Sequence, residues 1–221
     1  ESTVQVRYEF QGEEKQVDTT YLFLALGREP ATNSLNLESS GVSVLPSGHI
    51  QTNHFQQSTC PTIYAAGDCA GPYEIVHIAI KQGETAALHA LGKQVRPIAY
   101  DSLLSVVFTD PQLAVVGQSP SQLKANGINF SSASYPFDDH GKSILMDAKH
   151  GYVAVHAESE TGKVLGAECV GKDAGELIHS MSVAVGLQAT VHDLLKADWY
   201  HPTLSEIWTY PLEDLAEEIA V

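Results

Sequence analysis

The chain has 221 residues, 43% of them hydrophobic, and a net charge of −15 at pH 7. That length holds one large domain or two modest ones with a real core. The acidic balance, with no basic stripe, argues against nucleic acid as a partner, and no apolar run approaches the roughly 18 residues of a membrane span.

Val4, Val6, Tyr8 and Phe10 alternate with polar residues, and Gln11-Gly12 turns the chain into a return strand through Val17. The run Tyr21-Leu22-Phe23-Leu24-Ala25-Leu26 reads as a strand buried on both faces, stopped by Gly27-Arg28-Glu29-Pro30. There is no initiator Met and no signal-peptide pattern at Glu1, so a fragment is expected. Leu35 to Gly48 looks loop-rich, anchored by Leu37 and Val42, and a short strand is expected from His49 to Asn53.

Pro61 introduces Thr62-Ile63-Tyr64-Ala65-Ala66-Gly67-Asp68, which reads as a buried strand ending on glycine and aspartate. A carboxylate at a strand's C-terminal edge stands where open α/β sheets hold ligands; the same Gly-Asp is also an ordinary turn. Val76, Ala79, Ile80, Gly83, Ala87 and Leu91 recur at helical spacing, predicting a helix from Ile75 or Val76. Its first turn offers unpaired N–H groups and partial positive charge.

Gly92 to Pro97 reads as a linker to a second domain. There Leu113–Gly117, Ile128–Tyr135, Ser143–Met146, Gly151–Ala157 and Val164–Val170 read as strands. Ser119-Pro120-Ser121-Gln122 is a capping box with proline at N1. Asp173 to Gly186 is an amphipathic helix pattern, and Thr190 caps a short helix through Leu194 and Leu195. Antiparallel strands with helices grouped apart suggest an α+β layer. Cys60, Cys69 and Cys169 form no C-x-x-C pair and no zinc spacing, so no metal site is expected and a reducing cytoplasm is.

The chain then reaches His201-Pro202-Thr203-Leu204-Ser205-Glu206. A histidine titrates near neutrality, and a carboxylate on its far nitrogen fixes the tautomer and stabilises the imidazolium, so His201 and Glu206 suit acid/base work on a thiol. The same residues also make a capping box, Thr203 as N-cap and Glu206 at N3, opening a helix through Leu204, Ile207 and Trp208.

The hexapeptide, the Gly27-Arg28-Glu29-Pro30 segment, the Ile63-Tyr64-Ala65-Ala66-Gly67-Asp68 run and the Phe108-Thr109-Asp110-Pro111 segment together resemble the pyridine nucleotide-disulfide oxidoreductases, flavoenzymes that include the dihydrolipoamide dehydrogenases. The resemblance implies an α/β plus α+β fold: a partial Rossmann-like FAD/NAD(P)-binding segment, then an antiparallel-sheet dimerisation domain. It divides the chain into the end of an NAD(P)-binding domain (1–29), the C-terminal part of a FAD-binding domain (30–97) and a dimerisation domain (98–221).

It implies that His201 is the acid/base for a redox dithiol and Glu206 its orienting partner. Asp68 would accept from the flavin's ribityl chain, the Val76 backbone would face the pyrimidine edge of the flavin, and Gly27 would lie near the nicotinamide. The implied cofactors are FAD and NAD(P), and the implied partners a second copy of the chain and a disulfide substrate such as lipoamide. Trp199 departs from the family's usual histidine, and with Trp208 it is expected to reshape the thiol pocket. Missing are any Gly-x-Gly-x-x-Gly fingerprint and any Cys-x4-Cys pair, so the chain alone should neither bind FAD tightly nor turn over. Glutathione and mercuric reductases are alternatives within the family, and a stand-alone dimerisation module is the alternative outside it.

Overall fold

The structure is a computed structural model describing residues 3–219. It divides between Pro97 and Ile98 into two compact units.

The first unit opens with an antiparallel hairpin of β1 (Val4–Phe10) and β2 (Glu13–Thr19), turned at Gln11 and Gly12, both at positive φ. The Tyr21–Leu26 run is not the buried strand its composition predicts. It pairs with nothing regular, and Tyr21, Phe23 and Leu26 are 86%, 89% and 92% exposed. Strand-forming side chains become a strand only beside a neighbour and under a covering layer, and among the described residues this run has neither. Short 3-10 turns at Asn33–Leu35 and Leu37–Ser40 follow. A small core then forms from Val42, Ile50, Ala65 and Ala70, packed by Leu37, Cys60, Ile63 and Cys69.

The expected strands at His49–Asn53 and Thr62–Asp68 carry only isolated bridges, Val44 with Ile50, Thr52 with Ser58 and Gln57 with Tyr64, and the second ends in a 3-10 turn, Gly67–Cys69. Helix α1 runs Val76–Ala90 with Ile75 as N-cap, as its spacing predicts, but it buries another face. Ile78, Gln82 and Ala86 point inward, whereas Val76, Ile80 and Leu91 are exposed. Gln82 decides this, since its buried amide accepts from Gly67 N–H at 2.6 Å and donates to the Gly71 carbonyl at 2.8 Å. Two main-chain groups of the Gly67–Gly71 turn that would otherwise be buried unpaired are thereby satisfied.

The second unit is a five-stranded antiparallel sheet of β3 (Leu104–Val107), β4 (Gln112–Gly117), β5 (Phe130–Pro136), β6 (Tyr152–Glu158) and β7 (Val164–Gly171), in the order β3-β4-β7-β6-β5. Its register gathers one apolar face: Ala114 and Val155 lie opposite Cys169 and Ala167 of β7, and Tyr135 lies opposite Val153. Helices α4 (Ala174–Leu187) and α6 (Thr209–Glu218) cover that face through Leu177, Ile178, Met181, Leu212 and Leu215, joined by Val191 of α5 (Val191–Leu195). This is the α+β layer expected.

Helix α2 (Pro120–Ala125) starts on a capping box of Ser119 and Gln122, and α5 on one of Thr190 and Asp193. The predicted strand at Ser143–Met146 is instead the short helix α3 (Gly141–Leu145), which buries Ser143 and leaves Ile144 and Leu145 exposed. No helix among the described residues is long and apolar enough to cross a membrane.

Candidate functional site: a carboxylate between two histidines

Glu206 lies in a 3-10 turn, Ser205–Trp208, that runs directly into α6. The next two residues, Ile207 and Trp208, are fully buried. Trp208 Nε1 donates to the Leu177 carbonyl of α4 at 3.1 Å, which fastens this turn to the sheet-covering helix. Burial of an indole on this scale is one of the larger single contributions a core makes. Trp199 is half-buried and donates from Nε1 to the Leu194 carbonyl at 3.0 Å. Both indoles are thus anchored by main-chain hydrogen bonds, Trp208 within the core and Trp199 at its edge.

The Glu206 side chain is 12% exposed, and each oxygen has its own task. Oε2 is 2.8 Å from His201 Nδ1. Oε1 accepts from the Thr203 backbone N–H at 3.3 Å, while Thr203 Oγ1 accepts from Glu206 N–H at 3.3 Å. The capping geometry and the histidine contact thus coexist on one carboxylate. Thr203 Oγ1 also donates to the Tyr200 carbonyl at 2.7 Å, closing the loop that carries His201. The His201 side chain is 80% exposed. With Nδ1 engaged by the carboxylate, Nε2 is the nitrogen left to meet a ligand.

A second histidine, unforeseen from the sequence, stands on the other side of Glu206. His140 is 1% exposed; its Nδ1 is 2.8 Å from Ser143 Oγ and its Nε2 is 3.6 Å from Glu206 Oε1. That last separation is beyond hydrogen-bond length, and among the described residues Nε2 has no hydrogen-bond partner. The Tyr210 ring of α6 stands T-shaped to the imidazole with centroids 6.1 Å apart, and Tyr210 itself stacks on Tyr135 with centroids 3.9 Å apart. Burial pushes the His140 pKa below the ordinary histidine value, outweighing the pull of Glu206 the other way.

In the first unit, Asp68 follows the left-handed Gly67, φ +78°, in a 3-10 turn held by Gln82. Its carboxylate is 51% exposed, with Oδ2 3.8 Å from Arg28 Nε. Gly27 has φ +115° and open space where a Cβ would stand. Val76 is the first residue of α1, 77% exposed, and no side chain caps the helix start. This unit therefore presents an accessible carboxylate acceptor and uncapped N–H donors, a donor set that fits a flavin's ribityl hydroxyl and electron-rich ring edge. Among the described residues no group of three or more His, Cys, Asp or Glu side chains is placed to hold a metal ion.

Comparison with known proteins places these features in a family. Residues 103–211 match the dimerisation-domain model of the pyridine nucleotide-disulphide oxidoreductases, and residues 2–83 match a second model of the same name. The chain is 33% identical over 204 residues to the dihydrolipoyl dehydrogenase of Bacillus subtilis, covering 92% of this chain and 43% of the relative. It is 36% identical over 196 residues to that of Thermus scotoductus, covering 88% and 42%. The chain thus spans less than half the length of the relatives it matches. Among solved structures, LpdA of Mycobacterium tuberculosis superposes with a TM-score of 0.84 at 30% identity, over 91% of this chain and 44% of that one. The flavoprotein disulfide reductase RclA of Escherichia coli superposes with a TM-score of 0.83 at 23% identity, over 95% and 48%, a likeness of fold alone.

Proposed function

The chain belongs to the pyridine nucleotide-disulphide oxidoreductase family, and from that premise we propose that it is the C-terminal part of a homodimeric, FAD- and NAD(P)-dependent disulfide oxidoreductase of the dihydrolipoamide dehydrogenase type. The supporting observation is the 2.8 Å contact of His201 Nδ1 with Glu206 Oε2 beneath an exposed ring. A carboxylate on Nδ1 holds the proton there and leaves Nε2 bare, so the ring takes a proton from a thiol at Nε2 and returns it when the disulfide is reduced. Glu206 stabilises the imidazolium formed in between. It keeps its own position because Thr203 and the turn around it fix the carboxylate.

FAD, when bound, would exchange electrons with both nicotinamide and disulfide. Asp68 and the start of α1 at Val76 would hold it, with Gly27 on the nicotinamide side. On this reading Ile98 to the end forms the two-fold interface, to which the exposed Val183 and Leu187 of α4 are suited. His201 of one subunit then serves thiols held by the other. Dihydrolipoamide is the substrate that the dihydrolipoyl dehydrogenase relatives suggest. The compartment is the cytoplasm, where Cys60, Cys69 and Cys169 stay as free thiols.

The test is His201→Gln in the full-length protein. Disulfide turnover should fall by about 10²–10⁴-fold, while NAD(P)H-driven reduction of a one-electron dye, which needs no thiol base, should persist. Normal disulfide turnover in that variant would end this reading.

A further inference from the structure

The geometry points to His140 as a positioning residue for the Glu206–His201 pair: a neutral imidazole, protonated on Nε2, that faces Glu206 Oε1 and so orients Oε2 toward His201. The inference deepens the proposed function and rests on it for its chemical meaning, though its physical content stands apart.

His140 and Ser143 are both essentially sealed from solvent. A buried ring nitrogen with no hydrogen-bond partner is costly unless its surroundings favour the atom it presents. Nε2 faces a carboxylate oxygen 3.6 Å away. A lone pair there would be repelled by the carboxylate, whereas an N–H dipole is attracted; the carboxylate thus selects the Nε2–H tautomer. Ser143 completes the assignment, because its hydroxyl rotates to donate to the bare Nδ1 at 2.8 Å.

The remaining groups around the ring bear on its charge. Tyr210 stands T-shaped to the ring, and His201 contacts the other carboxylate oxygen. Burial lowers the His140 pKa from the ordinary histidine value, against the pull of Glu206, which favours the neutral ring beside the carboxylate. Glu206 Oε1 then accepts one hydrogen bond, from Thr203 N–H of its own loop, and feels the attraction of the His140 N–H dipole 3.6 Å away at the start of α3. Fixing one oxygen from two directions fixes the plane of the carboxylate. That plane decides where Oε2 points.

Nitrogen-15 NMR of the imidazole groups in this chain, at a pH where both rings are neutral, tests the assignment directly. His140 should show a protonated Nε2 and a bare Nδ1, and His201 the opposite tautomer as a single species. His140→Phe should turn His201 into a mixture of tautomers, and His140→Gln, which restores an N–H donor, should return the single form. Ser143→Ala removes the donor to Nδ1 and should also broaden the His201 tautomer distribution; it carries the test if His140→Phe does not fold.

In the full-length protein His140→Phe should lower disulfide turnover by about tenfold, the low end of the loss when an outer orienting partner is removed from a functional histidine. Dye reduction should be unaffected, and His140→Gln should recover the loss. A bare Nε2 on His140, or a His201 tautomer unchanged in His140→Phe and Ser143→Ala, would overturn the inference. Neither result touches the proposed acid/base role. Conversely, normal turnover in His201→Gln would defeat that role and leave the tautomer arms intact.

Discussion

Trp208 Nε1 donates to the main-chain oxygen of Leu177 at 3.1 Å, and this one bond joins the turn that carries Glu206 to the helix that covers the sheet. The indole is fully buried in the core shared by β4, β6, β7, α4 and α6. Trp208→Phe should cost about 2 kcal/mol, from the lost donor and the space left by the smaller ring. A urea midpoint measured on the chain checks it, and an unchanged midpoint would mean the core closes over the gap.

Thr203 and Glu206 separate capping from orientation. Thr203→Ala removes the acceptor for Glu206 N–H and should cost about 1 kcal/mol of stability, with little change in disulfide turnover of the full-length protein. Glu206→Gln has a single oxygen for two N–H donors, Thr203 N–H and His201 Nδ1–H. It should keep the cap and release the His201 tautomer, so turnover falls more than stability. Equal effects of the two variants on both measurements would reduce the motif to a helix start.

Acid should weaken the second unit through His156. This ring on β6 is 4% exposed, with Nδ1 2.8 Å from Ser132 Oγ, and burial lowers its pKa despite the nearby Glu168. Its unfolded value is about 6.5. Between the two values the unfolded chain binds a proton that the folded chain refuses, so stability is full above about pH 6.5 and falls as pH drops below it. The slope is at most about 1.4 kcal/mol per pH unit for one group. His156→Gln should show a shallower loss of urea midpoint between about pH 7.5 and about pH 5.5; identical losses in both proteins would assign the acid sensitivity elsewhere.

The three thiols should alkylate in a fixed order. Hydrogen bonds from the Thr62 side chain and backbone lower the Cys60 pKa, whereas burial pushes Cys169 up to about 12. Iodoacetamide on the native chain, followed by mass spectrometry of peptides, should mark Cys60 first and reach Cys169 only after denaturation. Early labelling of Cys169 would show that the sheet opens locally.

Much of the second unit was legible because local signals and burial agree there. Ser119 with Gln122 and Thr190 with Asp193 form the reciprocal caps that their spacing announces. Most positions of β7 alternate buried with half-buried, as in a sheet with one better covered face, whereas β6 is buried on both faces from Val153 to Ala157. The first unit was harder, since Tyr21–Leu26 and Thr62–Asp68 have strand composition without a strand beside them. Helix α1 was placed correctly but turned wrongly, because a glutamine, not an apolar residue, has the strongest claim to the inside.

At the site, His201 and Glu206 were readable as neighbours along the chain. His140 and Ser143 were not, because His140 meets Glu206 only in the folded chain, from the N-cap of α3, and Ser143 meets only His140. A polar residue that is buried while Ile144 and Leu145 beside it are exposed inverts the pattern on which any sequence reading depends.

The division of labour between the two Glu206 oxygens has an evolutionary corollary. Functional groups are commonly held at some expense to the fold, so that substitutions there gain stability as they lose activity. Here the carboxylate that meets His201 also closes the start of a helix, and its neighbours Ile207 and Trp208 are core. Selection for a folded chain alone would therefore still hold position 206 to a side chain with an acceptor oxygen, glutamate or glutamine. A descendant that had lost its redox partner could keep the pair intact for many substitutions elsewhere, a relic preserved by architecture.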